Sequence, residues 1–340
     1  MAAVTDRRAG ILRIIVREYV ETAAPVGSRT IHDKYGVPAS PATIRHEMQA
    51  LEEEGLLEQP HTSAGRVPSD RGYRMYVESL MGQADLPGDE KATIRHQFFQ
   101  AAPELDEWAD LAAGLLARSL GLLALVSPPR SRELQVKHLE LIGLNEILAL
   151  LVVVLREARV LKQLVPLDSP FEQAELSVLA ARLNERVSGR TVTELRREPS
   201  ADDVTEQRMI ETLTGILNEE SAREAAVRVE GVAGMLGQPE FQRDHRGMLD
   251  IVSLVDQRAT DRVVPPESLG GAGVSVMIGD ENPADELHQC SVVVAPYGDQ
   301  ADMSGYVALV GPTRMRYGRG VATVRYLSGL LEEMMDRVYG

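Results

Sequence analysis

The segment from Ser28 to Val67 constrains this chain most. Ser28 is a good N-cap for a short helix over Arg29–Tyr35, which Gly36 closes. Ser40 followed by Pro41 supplies a second N-cap with proline at the first helical position. The helix it opens runs from Pro41 to Glu54, carries Ile44, Met48 and Leu51 on one face, and ends at Gly55. Leu56–Gln59 then reads as a strand, Pro60–Gly65 as a turn-rich tip, and Arg66-Val67 as the returning strand. An amphipathic helix over residues 7–22 precedes the segment, with Ile11, Leu12, Ile15, Val16, Tyr19 and Val20 in a stripe, and Pro25 and Gly27 stop it. Any small three-helix bundle would accommodate the helices. The short second helix, the tight link, the capped third helix and the hairpin directly after it fit a winged helix-turn-helix better.

That fold assigns candidate DNA contacts. A recognition helix lies in the major groove with its N-terminal residues at the base edges, which here are Ser40, Thr43, Arg45, His46 and Gln49. The short hydroxyls of Ser40 and Thr43 suit phosphates, the Arg45 guanidinium suits a guanine, and the Gln49 amide suits an adenine. Arg29 and Thr30 open the second helix, where phosphates are within reach. At the wing, His61, Ser63 and Arg66 stand among small residues that let the backbone come close to DNA, and Gly65 can supply a positive φ. Arg71 and Arg74 suit either phosphates or local acids. The competing reading for the helix residues is a solvated face, and for the wing an ordinary polar hairpin tip.

The summed charge alone weighs against DNA binding, because the 340 residues carry a net −15. Its distribution removes the objection. Residues 1–82 hold 10 Lys and Arg against 11 Asp and Glu, so nearly all the negative charge lies beyond them. Binding is therefore expected on one face, away from an acidic bulk.

The region Gln83–Asp89 reads as a linker. Helices are expected over residues 90–101 and 104–125, and strands over Gln135–Leu144, Glu146–Leu155 and Arg159–Leu167. Further helices are expected over 172–187, 204–222 and 245–258 and from about Gly320 to Arg337, with short strands at Val227–Gly231, Val274–Ile278, Cys290–Ala295 and Gly305–Val310. This order of elements predicts an α+β body with an insertion. The longest apolar run, Ile147–Leu155, is far below the roughly 20 residues of a membrane helix. One cysteine, Cys290, permits no intrachain disulfide and reads as a small buried hydrophobe, in keeping with a reducing cytoplasm. Trp108 reads as packed in a helical core. Histidines at metal spacing, a glycine-rich phosphate loop and a nucleophile with a base are all lacking, so neither an enzyme nor a cofactor or metal protein is expected.

Several runs carry a resemblance. They are Glu21–Thr30 (ETAAPVGSRT), Ala42–Arg45 (ATIR), Leu51–Arg66 (LEEEGLLEQPHTSAGR) and Gly72-Tyr73-Arg74, followed by Gln238–Phe241 (QPEF), Ile278–Asn282 (IGDEN) and Gly311–Tyr317 (GPTRMRY). Together they resemble the HrcA family of heat-inducible transcription repressors across nearly the whole chain. Pro41 departs from that pattern, where a second small hydroxylic residue is usual, and so does His46-Glu47, where Asn-Asp is usual; His46 bears on operator preference. The resemblance implies a winged helix-turn-helix over residues 1–85, a GAF-like α/β domain over 90–167 and 235–340, and an inserted dimerising domain over 168–234. It implies a homodimer on an inverted-repeat operator of double-stranded DNA ahead of chaperone operons, released on heat stress, with a chaperonin as modulator and no membrane association. The alternative is a winged-helix repressor gated by a small effector in the GAF-like domain. Residues 278–282 and 311–317 read more readily as turns and braces than as a ligand site, with Arg314 and Tyr317 at the sheet or at a domain contact.

Overall fold

The computed structural model describes residues 6–61, 65–82, 84–102, 104–131, 134–156, 160–197, 203–224, 227–243, 245–256, 260–271, 273–299 and 303–339. The chain divides into two compact units. One comprises Met1–Pro129, Val227–Gly298 and Ser304–Gly340, and the other Arg130–Ala226 with Asp299–Met303.

The first unit begins with a head built from α1 (Asp6–Thr22), α2 (Ser28–Tyr35), α3 (Pro41–Glu53), β1 (Leu57–Glu58), β2 (Val67–Pro68) and α4 (Asp70–Met75), the last running into a π-helical turn at Tyr76–Leu80. The body starts with α5 (Gly88–Gln100), α6 (Leu105–Leu120) and β3 (Leu123–Ser131). The second unit holds β4 (Val136–Asn145), β5 (Leu148–Leu155), β6 (Val160–Pro166), α7 (Gln173–Val187), α8 (Val192–Arg197) and α9 (Val204–Glu224). The body then resumes with β7 (Arg228–Glu230), α10 (Val232–Leu236), α11 (Pro239–Arg243), α12 (His245–Asp256), α13 (Thr260–Val263), β8 (Ser275–Ile278), β9 (Cys290–Asp299), β10 (Met303–Pro312) and α14 (Tyr317–Tyr339).

The head is held by apolar contact between helices. Ile11, Leu12, Ile15 and Val16 of α1, Ile31 of α2, and Ile44, Met48 and Leu51 of α3 are all buried, as the sequence periodicity requires. In the body, a five-stranded sheet in the order β7-β3-β10-β9-β8 carries the core, and α6 and α14 contribute buried faces. The expected helix over 104–125 is shorter: Gly121 adopts φ +65° and caps α6, and the chain turns at once into β3. The apolar run Leu122–Val126 is compatible with helix and strand alike, and the left-handed glycine decides between them. Cys290 is buried, and burial pushes its thiol up to about 12, which leaves it an inert hydrophobe. Trp108 is buried in α6.

The second unit corrects the expected boundary at residue 168. Strands β4, β5 and β6 form their own antiparallel sheet in that order, and its inner face shares one core with α7 and α9 through Leu139, Leu141, Leu151, Val153, Leu179 and Leu213. The insert therefore runs from about residue 130 to 226, and the body comprises the flanking segments. The strand pattern alone could not show this, because apolar residues occupy both faces of β5. Side-chain amides of α7 cover the free edge of β4. Asn184 accepts from Leu139 N–H at 2.9 Å and donates to its carbonyl at 2.8 Å, while Gln173 accepts from Gly143 N–H at 2.8 Å and donates to the Leu141 carbonyl at 3.0 Å. These bonds satisfy edge groups that would otherwise be open to another strand.

Candidate nucleic-acid interface

The candidate recognition helix α3 starts as its sequence predicts. The Ser40 hydroxyl accepts from Thr43 N–H at 3.1 Å, and the Ser40 and Thr43 hydroxyls lie 2.9 Å apart. Ser40 therefore serves first as a cap. Arg45, His46 and Gln49 lie on the exposed face of α3. Arg45 and His46 enter no ion pair or side-chain hydrogen bond among the described residues, and the Gln49 amide donates to Glu53 at 3.0 Å with its carbonyl left open. Arg29 is exposed and Thr30 half-buried on α2.

Two acids of α3, Glu47 and Glu52, and its C-cap Glu54 are paired with arginines of the head. Arg8 of α1 donates to Glu47 at 2.8 Å and to Glu54 at 2.6 Å, and Arg66 donates to Glu52 at 2.9 Å. Of the three glutamates of α3, Glu47 and Glu52 thus have arginine partners, and the exposed Glu53 accepts from Gln49. Arg8 was not legible as a positioning residue, because its partners lie about 40 positions further along the chain. Glu18 plays a similar part for α2. It is buried on α1 and accepts from Lys34 at 2.6 Å and from the Tyr35 hydroxyl at 2.5 Å. The Lys34 bond, then the Tyr35 bond, hold its carboxyl below the usual carboxylate range.

The wing is a two-stranded sheet with Leu57 opposite Pro68 and Glu58 opposite Val67. Val26 and Arg66 extend it with a reciprocal pair of backbone bonds, both 2.9 Å. Gly65 has a different use from the positive φ expected of it: a Cβ there would overlap the Val26 backbone, so glycine permits the close approach of the two chains. His61 is exposed at the tip, and Ser63 lies outside the described residues. Arg66, expected as a phosphate ligand, is paired within the head. Its side chain is 17% exposed and its guanidinium is paired with Glu52, so it braces the wing against α3.

The comparisons with known proteins come to bear at this point. The family model for the HrcA protein C terminal domain matches residues 106–321. The heat-inducible transcription repressor HrcA of Roseiflexus castenholzii is 38% identical over 99% of this chain and 96% of its own, and that of Herpetosiphon aurantiacus is 39% identical over 98% and 96%. The chain belongs to the HrcA family. A crystal structure of a hypothetical protein has the same fold, with a TM-score of 0.68 and 26% identity over 98% of this chain and 99% of that one.

In this HrcA-family chain the body segments that carried the resemblance converge on the head. Arg314 has an 11% exposed side chain and binds the Val20 carbonyl at the end of α1 at 2.7 Å and Glu240 at 2.6 Å. Arg74 of α4 donates to Glu281 at 2.8 Å and to the Val276 carbonyl at 2.6 Å. The rings of Tyr73 and Tyr317 pack at 5.6 Å between centroids. Asp70 accepts from Asp280 N–H at 3.4 Å and lies against Gly279, whose φ of +56° and lack of Cβ make room for the carboxylate. Burial there pushes the Asp70 carboxyl up. These residues brace the head on the body, the domain-contact role the sequence offered for Arg314 and Tyr317. No metal-ligating group of three or more His, Cys, Asp or Glu side chains occurs among the described residues, and none of their helices is long and apolar enough to cross a membrane.

Proposed function

We propose that this chain represses heat-shock genes by gripping an inverted-repeat operator as a homodimer, and that it releases the operator on heat stress. Its kinship with the heat-inducible transcription repressors supports the gene class. The observation that carries the DNA contact is the open face of α3, where Arg45, His46 and Gln49 point outward while every glutamate of the helix has a partner. Arg45 reads a base, His46 and Gln49 read or flank it, and Thr43, Arg29, Thr30 and His61 hold phosphates. Ser40 and Arg66 position these groups.

The second unit supplies the dimer. The outer face of its sheet carries the cross-strand rows Ile142–Leu150–Leu164 and Val154–Val160. Ile142, Leu144, Val160 and Leu164 are 45–53% exposed, apolar groups on either side of the Glu140–Val152–Lys162 row that a second copy of this chain would remove from water. Selection of duplex DNA from a random pool by the full-length protein tests the whole reading. The expected result is a two-fold symmetric consensus retained at low temperature and lost on heating. A single asymmetric half-site, or no enrichment, overturns it. Repeating the selection with chaperonin tests the modulation that the family resemblance implies.

A further inference from the structure

Where the head meets the body lies a cleft of about 580 Å³, within the range of small-ligand sites. Val20 and Glu21 at the end of α1 form one lip. Leu122, Pro312, Arg316 and Arg319 lie on the other, all within the first unit. The arginine chemistry is uneven. Arg314 also lines the cleft, but its guanidinium is fully engaged with Glu240, Gln238 and the Val20 carbonyl. Arg319 places one nitrogen on Glu90 and keeps the rest of its fork. Arg316 is exposed and makes no ion pair or side-chain hydrogen bond among the described residues.

The backbone adds to this charge. The Arg316 carbonyl accepts from Gly320 N–H at 2.9 Å, so Arg316 stands as the N-cap of α14, a helix of 23 residues. The positive end of the helix therefore lies beside Arg316 and Arg319, two guanidiniums with donors to spare. Glu21 is the opposing charge. It is the one carboxylate among the described lining residues, and it faces the cleft from the head.

We propose that this cleft is a binding site for a small multivalent anion, its charge held by Arg316, Arg319 and the start of α14 and its uncharged part lying on Val20, Leu122 and Pro312. A planar guanidinium fork accepts phosphate and carboxylate oxygens alike, so a phosphate-bearing or a polycarboxylate metabolite satisfies the same chemistry. The occupant touches head and body together and adds a tie between them. The site does not depend on the reading of α3 as a DNA reader, and binding is measured without DNA.

The experiment uses the full-length protein at fixed ionic strength, with inorganic pyrophosphate and citrate as the two probes and calorimetry and thermal melting as the readouts. One of the probes is expected to bind saturably at one site per chain and to raise Tm by about 2–4 °C at saturation. Which probe binds tells phosphate from carboxylate. Arg316→Ala, an exposed position, is expected to weaken binding about tenfold. Glu21→Gln is expected to tighten it, because it removes the opposing charge while leaving the shape of the cleft. Failure of both probes to bind, or binding unchanged in Arg316→Ala and Glu21→Gln, overturns the proposal.

Discussion

Arg45 and Arg66 are both arginines of the proposed DNA-contact surface, and the structure gives them different surroundings. Arg45 has an open fork, so its truncation should act on base reading. Arg45→Ala is expected to weaken specific operator binding by about 1–3 kcal/mol and to relax the preference at one position of each half-site, with a smaller loss on random DNA. Fluorescence anisotropy on both DNAs checks this, and equal losses contradict it. Arg66 is already paired with Glu52 at 2.7 Å, so its effect should come through the wing. Arg66→Ala and Glu52→Ala are each expected to weaken operator binding, and the double variant to be no worse than the worse single one, since either change removes the same brace. The slope of log affinity against log salt should stay unchanged in Arg66→Ala; a slope smaller by about 1 would instead make Arg66 a phosphate ligand.

At the scale of elements, α2 is fixed to α1 by Glu18, and that tie is sensitive to pH. The folded carboxyl of Glu18 is lowered, first by Lys34 and then by Tyr35. Its contribution is therefore fully present above the unfolded value of about 4.3 and is lost as pH falls through the lower folded value. Glu18→Gln is expected to cost about 1–3 kcal/mol at neutral pH, with the gap from the parent closing below about pH 4. Thermal melts across that range test it, and a gap independent of pH overturns it. The head was largely legible in sequence because its signals are local: the cap at Ser40, the stop at Gly36, the 3.6-residue stripe and the hairpin after Gly55. Arg8 and Glu18, which aim it, were not, because they act on partners distant in the chain, and Arg314 was legible only as a brace at the sheet or at a domain contact, without its partners. Gly65 was legible as a special position but not for its reason, since only the approach of Val26 shows what a side chain there would strike. The strand β3 was hidden because Leu122–Val126 suits two periods equally.

For the whole molecule, the boundary between body and insert decides what the second unit can do. Assigning β4–β6 to the body would leave the insert three helices and no sheet face to offer. With the three strands in the insert, one face of the sheet buries its leucines and valines under α7 and α9, and the other leaves Ile142, Val160 and Leu164 about half-exposed. Surface of that kind is costly on an isolated chain, and two-fold pairing removes it from both copies at once. In the proposed dimer each substitution there enters a symmetric interface twice. Leu164→Glu, lying in the row with Leu150 and Ile142, is therefore expected to convert the protein to a monomer in sedimentation equilibrium while leaving its circular dichroism unchanged, since Leu164 lies on the outer face. Affinity for a single half-site should persist, because the head is untouched. Affinity for the full inverted repeat should fall toward the half-site value, because the second head is no longer delivered at high effective concentration. A Leu164→Glu variant that remains dimeric would place the subunit contact elsewhere. One that is monomeric yet keeps full operator affinity would separate DNA binding from dimer symmetry.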